Sequence, residues 1–207
     1  CHQSIYSGGS GDAFLVKFNM SGVRQWGTYY GDGSNETGVA CATDAAGNIY
    51  MVGSTNSNVN IATLGSHQST YGGGSSDAFV VKFNSAGIRQ WGTYYGGSGD
   101  DYGNSCALDA TGNVFLTGTT STPSSINIAT SGSHQSTLGG SGDAFLVKSN
   151  SAGIRQWGTY YGGNLDDRVT SCATDASGNI YLSGFTNTNA GTSISTSGSH
   201  QSAYGGG

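Results

Sequence analysis

One phrase, repeated, constrains this chain more than anything else in it. The stretch Asp77 to Gly96, DAFVVKFNSAGIRQWGTYYG, returns almost unchanged from Asp143 and has an earlier copy from Asp12. The residues between the copies keep step. His-Gln-Ser recurs at His2, His67, His134 and His200, tryptophan at Trp26, Trp91 and Trp157, and cysteine at Cys41, Cys106 and Cys172, all at an interval of about 65 residues. A period of this length means one small supersecondary unit used several times, each copy burying its apolar surface against its neighbours.

The unit is built of strands. Only 35% of residues are apolar, 37 are Gly and one is Pro, and the apolar positions favour Val, Ile, Phe, Tyr and Trp, which suit strands. The fold class expected is all-β, and the 11% of aromatic residues sets the chain apart from disordered sequences. Four strands fit in one period, each bounded by turn residues: Asn104 to Asp109, Val114 to Thr119, Asp143 to Asn150 and Ile154 to Tyr161. In Ala78-Phe79-Val80-Val81 and Ile49-Tyr50-Met51-Val52, neighbours that point to opposite faces are both apolar, so these strands are covered on both sides. Small four-stranded sheets stacked face to face are the blades of a β-propeller, with the strand carrying Arg89, Gln90 and Thr93 at the outer, wetter edge.

Several motifs are shared with a known family. The Gly-Gly-x-x-Asp-Ala-Phe-x-x-Lys strand, the Trp-Gly-Thr-Tyr-Tyr-Gly-Gly strand and the Asp-x-x-Gly-Asn-hydrophobic-Tyr-x-x-Gly hairpin together resemble the bacterial SBBP (β-propeller) repeat over essentially the whole chain. The resemblance implies a secreted or surface-exposed bacterial protein and no defined activity. His-Gln stands where an aromatic-Gln pair is more usual in that family.

Counting in this frame gives the last two strands of a blade in residues 1–36, whole blades in 37–101 and 102–167, and the first two strands of another blade, with a linker, in 168–207. The halves sum to about three blades, fewer than the four to eight of closed propellers. Self-association into a homo-oligomer or filament, or continuation into flanking repeats of the same chain, is therefore expected, because unpaired blade edges are adhesive in water.

Charge narrows the partners. The formal charge of −5 carries no basic cluster, which argues against nucleic acid, and no apolar run reaches the roughly 18 residues of a membrane-spanning helix. Cys1, whose counterparts are Ser66, Ser133 and Ser199, reads as a lipidated N-terminus, an intermolecular disulfide partner or a boundary of the sequence; the recurring cysteines read as small core residues.

Candidate sites follow from the repeats. Trp26, Tyr29, Tyr30, Trp91, Tyr94, Tyr95, Trp157, Tyr160 and Tyr161 offer flat faces and hydroxyls that would suit surface glycans, one site per blade, or else pack blade on blade. The acidic pairs Asp100-Asp101 and Asp166-Asp167, placed in the loop between blades, are candidate Ca²⁺ ligands; otherwise no cofactor is expected. Asp44-Gly47-Asn48 and its copies at Asp109 and Asp175 read as turn chemistry, the histidines as structural, and Asp12, Asp77 and Asp143 with the recurring Lys and Arg as a network stitching blades. Catalysis is not expected, since an active site needs different groups in one place and nearly every candidate here recurs in every copy. Few residues break the pattern: Arg168 against Thr37 and Tyr102, Ser149 against Phe18 and Phe83, and Pro123. The leading expectation is a non-catalytic extracellular scaffold, structural or adhesive; the alternatives are a multivalent carbohydrate-binding propeller and a solute-binding or enzymatic propeller with its site at the ring axis, lined by residues such as Arg168.

Overall fold

In the computed structural model, which describes residues 2–123, 125, 127–189 and 194–206, the chain is all-β, with no helix among the described residues. The strands are β1 (Ala13–Phe18), β2 (Arg24–Tyr30), β3 (Glu36–Thr43), β4 (Ile49–Thr55), β5 (Asp77–Phe83) and β6 (Arg89–Tyr95), followed by β7 (Asp101–Leu108), β8 (Val114–Thr120), β9 (Asp143–Ser149), β10 (Arg155–Tyr161), β11 (Asp167–Thr174) and β12 (Ile180–Thr186). They form two four-stranded antiparallel sheets, β3-β4-β5-β6 and β7-β8-β9-β10, flanked by the two-stranded sheets β1-β2 and β11-β12. By the repeat, β1 and β2 are counterparts of β5 and β6, and β11 and β12 are counterparts of β3 and β4. Cys1 lies outside the described residues.

Local chemistry sets each hairpin. Asn19, Asn84 and Asn150 each accept, through Oδ1, the backbone N–H groups two and four residues on, which closes the turn between the last two strands of a unit. The same turn needs a left-handed residue, and Gly22, Gly87 and Gly153 supply it at φ 76, 75 and 81°. Asp44, Asp109 and Asp175 act likewise on the Asn48, Asn113 and Asn179 N–H groups, so these positions are turn chemistry, as the sequence suggests.

The sheets stack through both faces. On one face of the second sheet Ile49, Met51, Phe79, Val81 and Phe83 pack with Ala13, Leu15 and Tyr30 of the first. On the other, Tyr50, Val52, Ala78 and Val80 pack with Cys106, Val114, Leu116 and Val147 of the third. Each apolar neighbour pair in the strands thus serves a different core, which is what the lack of alternation means physically. The leading strand of each sheet lies against the sheet before it: β7 against β3, β4 and β5, and β11 against β7, β8 and β9.

Two expectations need correcting. The leading strand of the third sheet begins at Asp101 and not at Asn104, because the Asp101 N–H reaches the Ser76 carbonyl at 2.7 Å and Asp101 pairs with Thr120; a register shift between Gly103 and Ser105 absorbs the extra residue. Asp101 and Asp167 are therefore strand residues and not loop residues. The outer strands are also drier than expected, with Gly92 to Tyr95 buried. The segment holding His67 and Gln68 runs along the edge of β6, where Gln68 receives the Tyr94 N–H on its carbonyl and donates its own N–H to Thr93 Oγ1. Loops of the same kind hold Gln3 against Thr28 and Gln135 against Thr159, blunting each outer edge.

Candidate functional site

The recurring aromatics are placed by this stacking. Trp26 donates its indole N–H to the Ser85 carbonyl at 3.1 Å, and Trp91 donates to Ser151 at 3.1 Å, each on the hairpin turn of the next sheet. A Cβ on Gly87 or Gly153 would stand within about 3 Å of those rings, so the glycines leave the space the indoles fill. Tyr30, Tyr95 and Tyr161 donate across to the Ile61, Ile128 and Ile194 carbonyls, while Tyr94 donates to Ser57 and Tyr160 to Thr122 and Pro123. Tyr29 remains partly open beside Tyr6, and Trp157 lines an open groove of about 590 Å³ with His134, Leu146 and Tyr161. Most of the aromatic set is thus spent on joining neighbouring sheets. The histidines belong to the same layer: His2, His67 and His134 lie tilted against Tyr30, Tyr95 and Tyr161, and burial pushes His67 down to about 4, keeping it neutral.

The acidic residues fall into two different environments. Asp100 turns outward and accepts the Ser75 N–H at 2.6 Å, and Asp166 accepts from Arg168 Nε at 2.8 Å. Asp101 and Asp167 turn inward, away from their sequence neighbours, so neither Asp100-Asp101 nor Asp166-Asp167 converges on one point. Their partners lie 24 residues earlier in the chain: Asp101 faces Asp77 and Asp167 faces Asp143, with Glu36 facing Asp12 in the first copy. Carboxylate atoms of both members stand within 3 Å of where a Cβ of Gly96 or of Gly162 would be. Asp101 Oδ2 accepts from the Gly97 N–H and from Thr122 Oγ1, both at 2.8 Å. Asp77 Oδ2 accepts from the Gly72 N–H at 2.6 Å and from Gln68 Nε2 at 3.2 Å, while its Oδ1 is buried without a hydrogen-bond partner. The corresponding Oδ1 atoms of Asp12 and Asp143 are partnerless too. Burial, and then the Asp101 charge, push Asp77 up to about 7 against the pull of its donors; burial also raises Asp101, Asp143 and Glu36. Two buried carboxylates facing each other in this way disfavour the doubly ionised state. Among the described residues no group of three or more His, Cys, Asp or Glu side chains is gathered as a metal site.

Among the described residues no ion pair reaches the inward acids Asp77, Asp101, Asp143 and Asp167. Arg89 donates to the Asn60 carbonyl at 2.7 Å, Arg155 to Asn127 at 2.9 Å and Lys82 to Ser151 at 3.2 Å. Lys82 also lies over the Tyr50 ring and Lys148 over Phe115, the latter within 3.6 Å of Asp109. Of these bonds only that of Lys82 crosses between sheets, while the two arginines bond within their own blade. Cys106 is buried, with its thiol toward the Tyr50 carbonyl, and burial pushes it up to about 12. Cys41 is exposed, contrary to its core assignment, because the two-stranded sheet before it has no counterpart of β4 to cover it.

Where the leading strands converge, the repeats stop being alike. A polar cleft of about 800 Å³ is lined by Thr37, Tyr102 and Arg168, the same position of β3, β7 and β11, together with Asn35, Asp100 and Asp166. Arg168 signals this place in the sequence by breaking the pattern; Tyr102 belongs with it. One guanidinium, two carboxylates, a phenol and several hydroxyls equip the cleft for hydrogen bonding.

Comparison with known proteins agrees with this architecture. The beta-propeller repeat family SBBP matches residues 25–59 and 90–123. Each match runs from the last strand of one sheet through the first two strands of the next. No curated protein matches the chain.

Proposed function

We propose that this chain is a non-catalytic structural or adhesive scaffold of the bacterial cell exterior, an array of propeller-type blades of about 65 residues that works by joining further blades. The observation that carries this reading is the contrast between whole and half blades. Phe79, Phe83 and Tyr50 are fully buried, whereas their counterparts Phe14, Phe18 and Tyr181 on the half blades are 68%, 60% and 57% exposed. Open apolar faces of this kind on a repeat built for stacking are contact surfaces. The investment of Trp26, Trp91, Tyr30 and Tyr95 in blade-to-blade contacts supports a role in which structure itself is the output. Light scattering tests it: the particle mass should be a multiple of 21.0 kDa, and a lone 21.0 kDa species at every concentration would overturn it.

A second reading is supported by the cleft. Its three leading-strand residues differ while their surroundings repeat, which fits one polar, hydroxylated solute held by Tyr102, Arg168 and Asp100. Calorimetry with surface glycans tests it. Saturable heat lost in Arg168→Ala supports it, and no heat at millimolar sugar removes it.

A further inference from the structure

Resting on the scaffold reading, we infer that the two half blades are the halves of one intermolecular blade: β12 of one copy pairs antiparallel with β1 of a second, in the register that β4-β5 and β8-β9 use within the chain.

The register is set by the chain's own repeats. Tyr50 pairs with Lys82 and Gly53 with Phe79 in one whole blade, and Phe115 with Lys148 and Gly118 with Phe145 in the other. Transferred to the half blades, Tyr181 faces Lys17 and Gly184 faces Phe14 of the second copy. Each pairing has a physical content that the half blades preserve. Lys82 Nζ sits 5.0 Å from the Tyr50 ring centre and Lys148 Nζ 5.4 Å from that of Phe115, so Lys17 finds the Tyr181 ring. The Phe79 and Phe145 rings come within 3 Å of where a Cβ on Gly53 or Gly118 would be, and glycine is again present at Gly184 for the Phe14 ring.

A second contact falls on the same partner. Trp26 and Trp91 each rest on the glycine of the next blade's hairpin turn and donate to a carbonyl in that turn. For Trp157 the corresponding turn is Asn19 to Gly22 of the second copy. The indole covers Gly22, which has nothing within 4 Å in a single copy, and donates to the Met20 carbonyl. Edge pairing and indole docking thus specify one geometry. The contact is head-to-tail, with different surfaces on the two copies, so it propagates into a ring or a filament.

The test uses thiol cross-linking between separately made variants. Lys17→Cys and Tyr181→Cys, both at exposed positions, are mixed under mild oxidation, and peptide mapping identifies which thiols have joined. A bond between the introduced thiols, at least about tenfold more abundant than with Lys17→Cys and Ser183→Cys, supports the register, because diagonal positions are too far apart for a disulfide. Phe14→Glu, whose side chain is exposed in a single copy, should leave circular dichroism unchanged and lower the association constant at least about tenfold. Oligomers that form without this cross-link, or withstand Phe14→Glu, overturn the register and leave the scaffold reading standing. A chain that stays monomeric overturns both.

Discussion

Stability should fall as pH rises from about 4 to about 7, and the Asp77-Asp101 pair should be a main cause. Asp77 has its pKa raised in the folded chain, from 3.8 to about 7. A group raised in this direction contributes stability that is complete below its unfolded pKa and is lost as pH climbs through the folded one. At 1.36 kcal/mol per unit, ionising Asp77 corresponds to about 4 kcal/mol. Because the two facing carboxylates titrate as a coupled pair, the loss belongs to the pair and is counted once. The opposite arm comes from turn carboxylates such as Asp109, which is held at about 2 by hydrogen bonds from Asn113 and Thr111 that outweigh its burial, so its contribution disappears only in strong acid. Urea unfolding at a series of pH values should therefore show a maximum near about pH 4. Asp77→Asn keeps an oxygen for the Gly72 and Gln68 donors and supplies an amide N–H for Asp101 Oδ2. It should flatten the alkaline arm, leaving the variant more stable than the parent at about pH 8 by roughly 2–4 kcal/mol. A parent chain whose stability rises between about pH 4 and 7, or an Asp77→Asn variant equally destabilised at both, would refute the raised Asp77 carboxyl.

Other outcomes follow from the same contacts. Tyr95→Phe removes a buried hydroxyl that donates to the Ile128 carbonyl at 2.5 Å and should cost about 1–3 kcal/mol in chemical denaturation, most of it from stranding that carbonyl. Gly118→Ala drives a Cβ into the Tyr102 carbonyl and the Phe145 ring, and should cost more than about 3 kcal/mol or abolish soluble expression. Millimolar calcium or a chelator should leave the melting temperature at about pH 5 unchanged, because Asp77 keeps its proton there; a rise of several degrees with calcium would mean that the metal binds Asp101 and Asp167 instead.

The architecture was legible because repetition turns weak local signals into strong ones. A single Asp-Ala-Phe strand could be many things, but its recurrence with Trp and Gly-Asn turns at a fixed interval leaves little choice, and the two-sided apolar pattern of Val80-Val81 gives the stacking. The candidate sites were less legible for the same reason. Asp100 and Asp101 read as a pair because they are adjacent, yet neighbouring residues at the entrance of a strand point apart, so Asp101 meets Asp77 from 24 residues earlier. The recurrence of Asp12, Asp77 and Asp143 alongside Glu36, Asp101 and Asp167 was the available signal. Cys41 shows the converse: its spacing matches that of Cys106, but burial depends on the sheet in front, which is only half present before β3. Arg168 was visible as an exception; the polar cleft it lines depends on three leading strands converging, which no local pattern encodes.

Amide hydrogen exchange along β1 and β12, at working concentration and after dilution, tests the split-blade account most directly. The account predicts that the amides of Phe14 to Lys17 and of Tyr181 to Gly184 exchange as slowly as those of β5 and β8, and lose that protection on dilution as copies separate. Fast exchange in both strands at every concentration, alongside slow exchange in β5 and β8, would mean that the half blades stand open and that copies do not join through them.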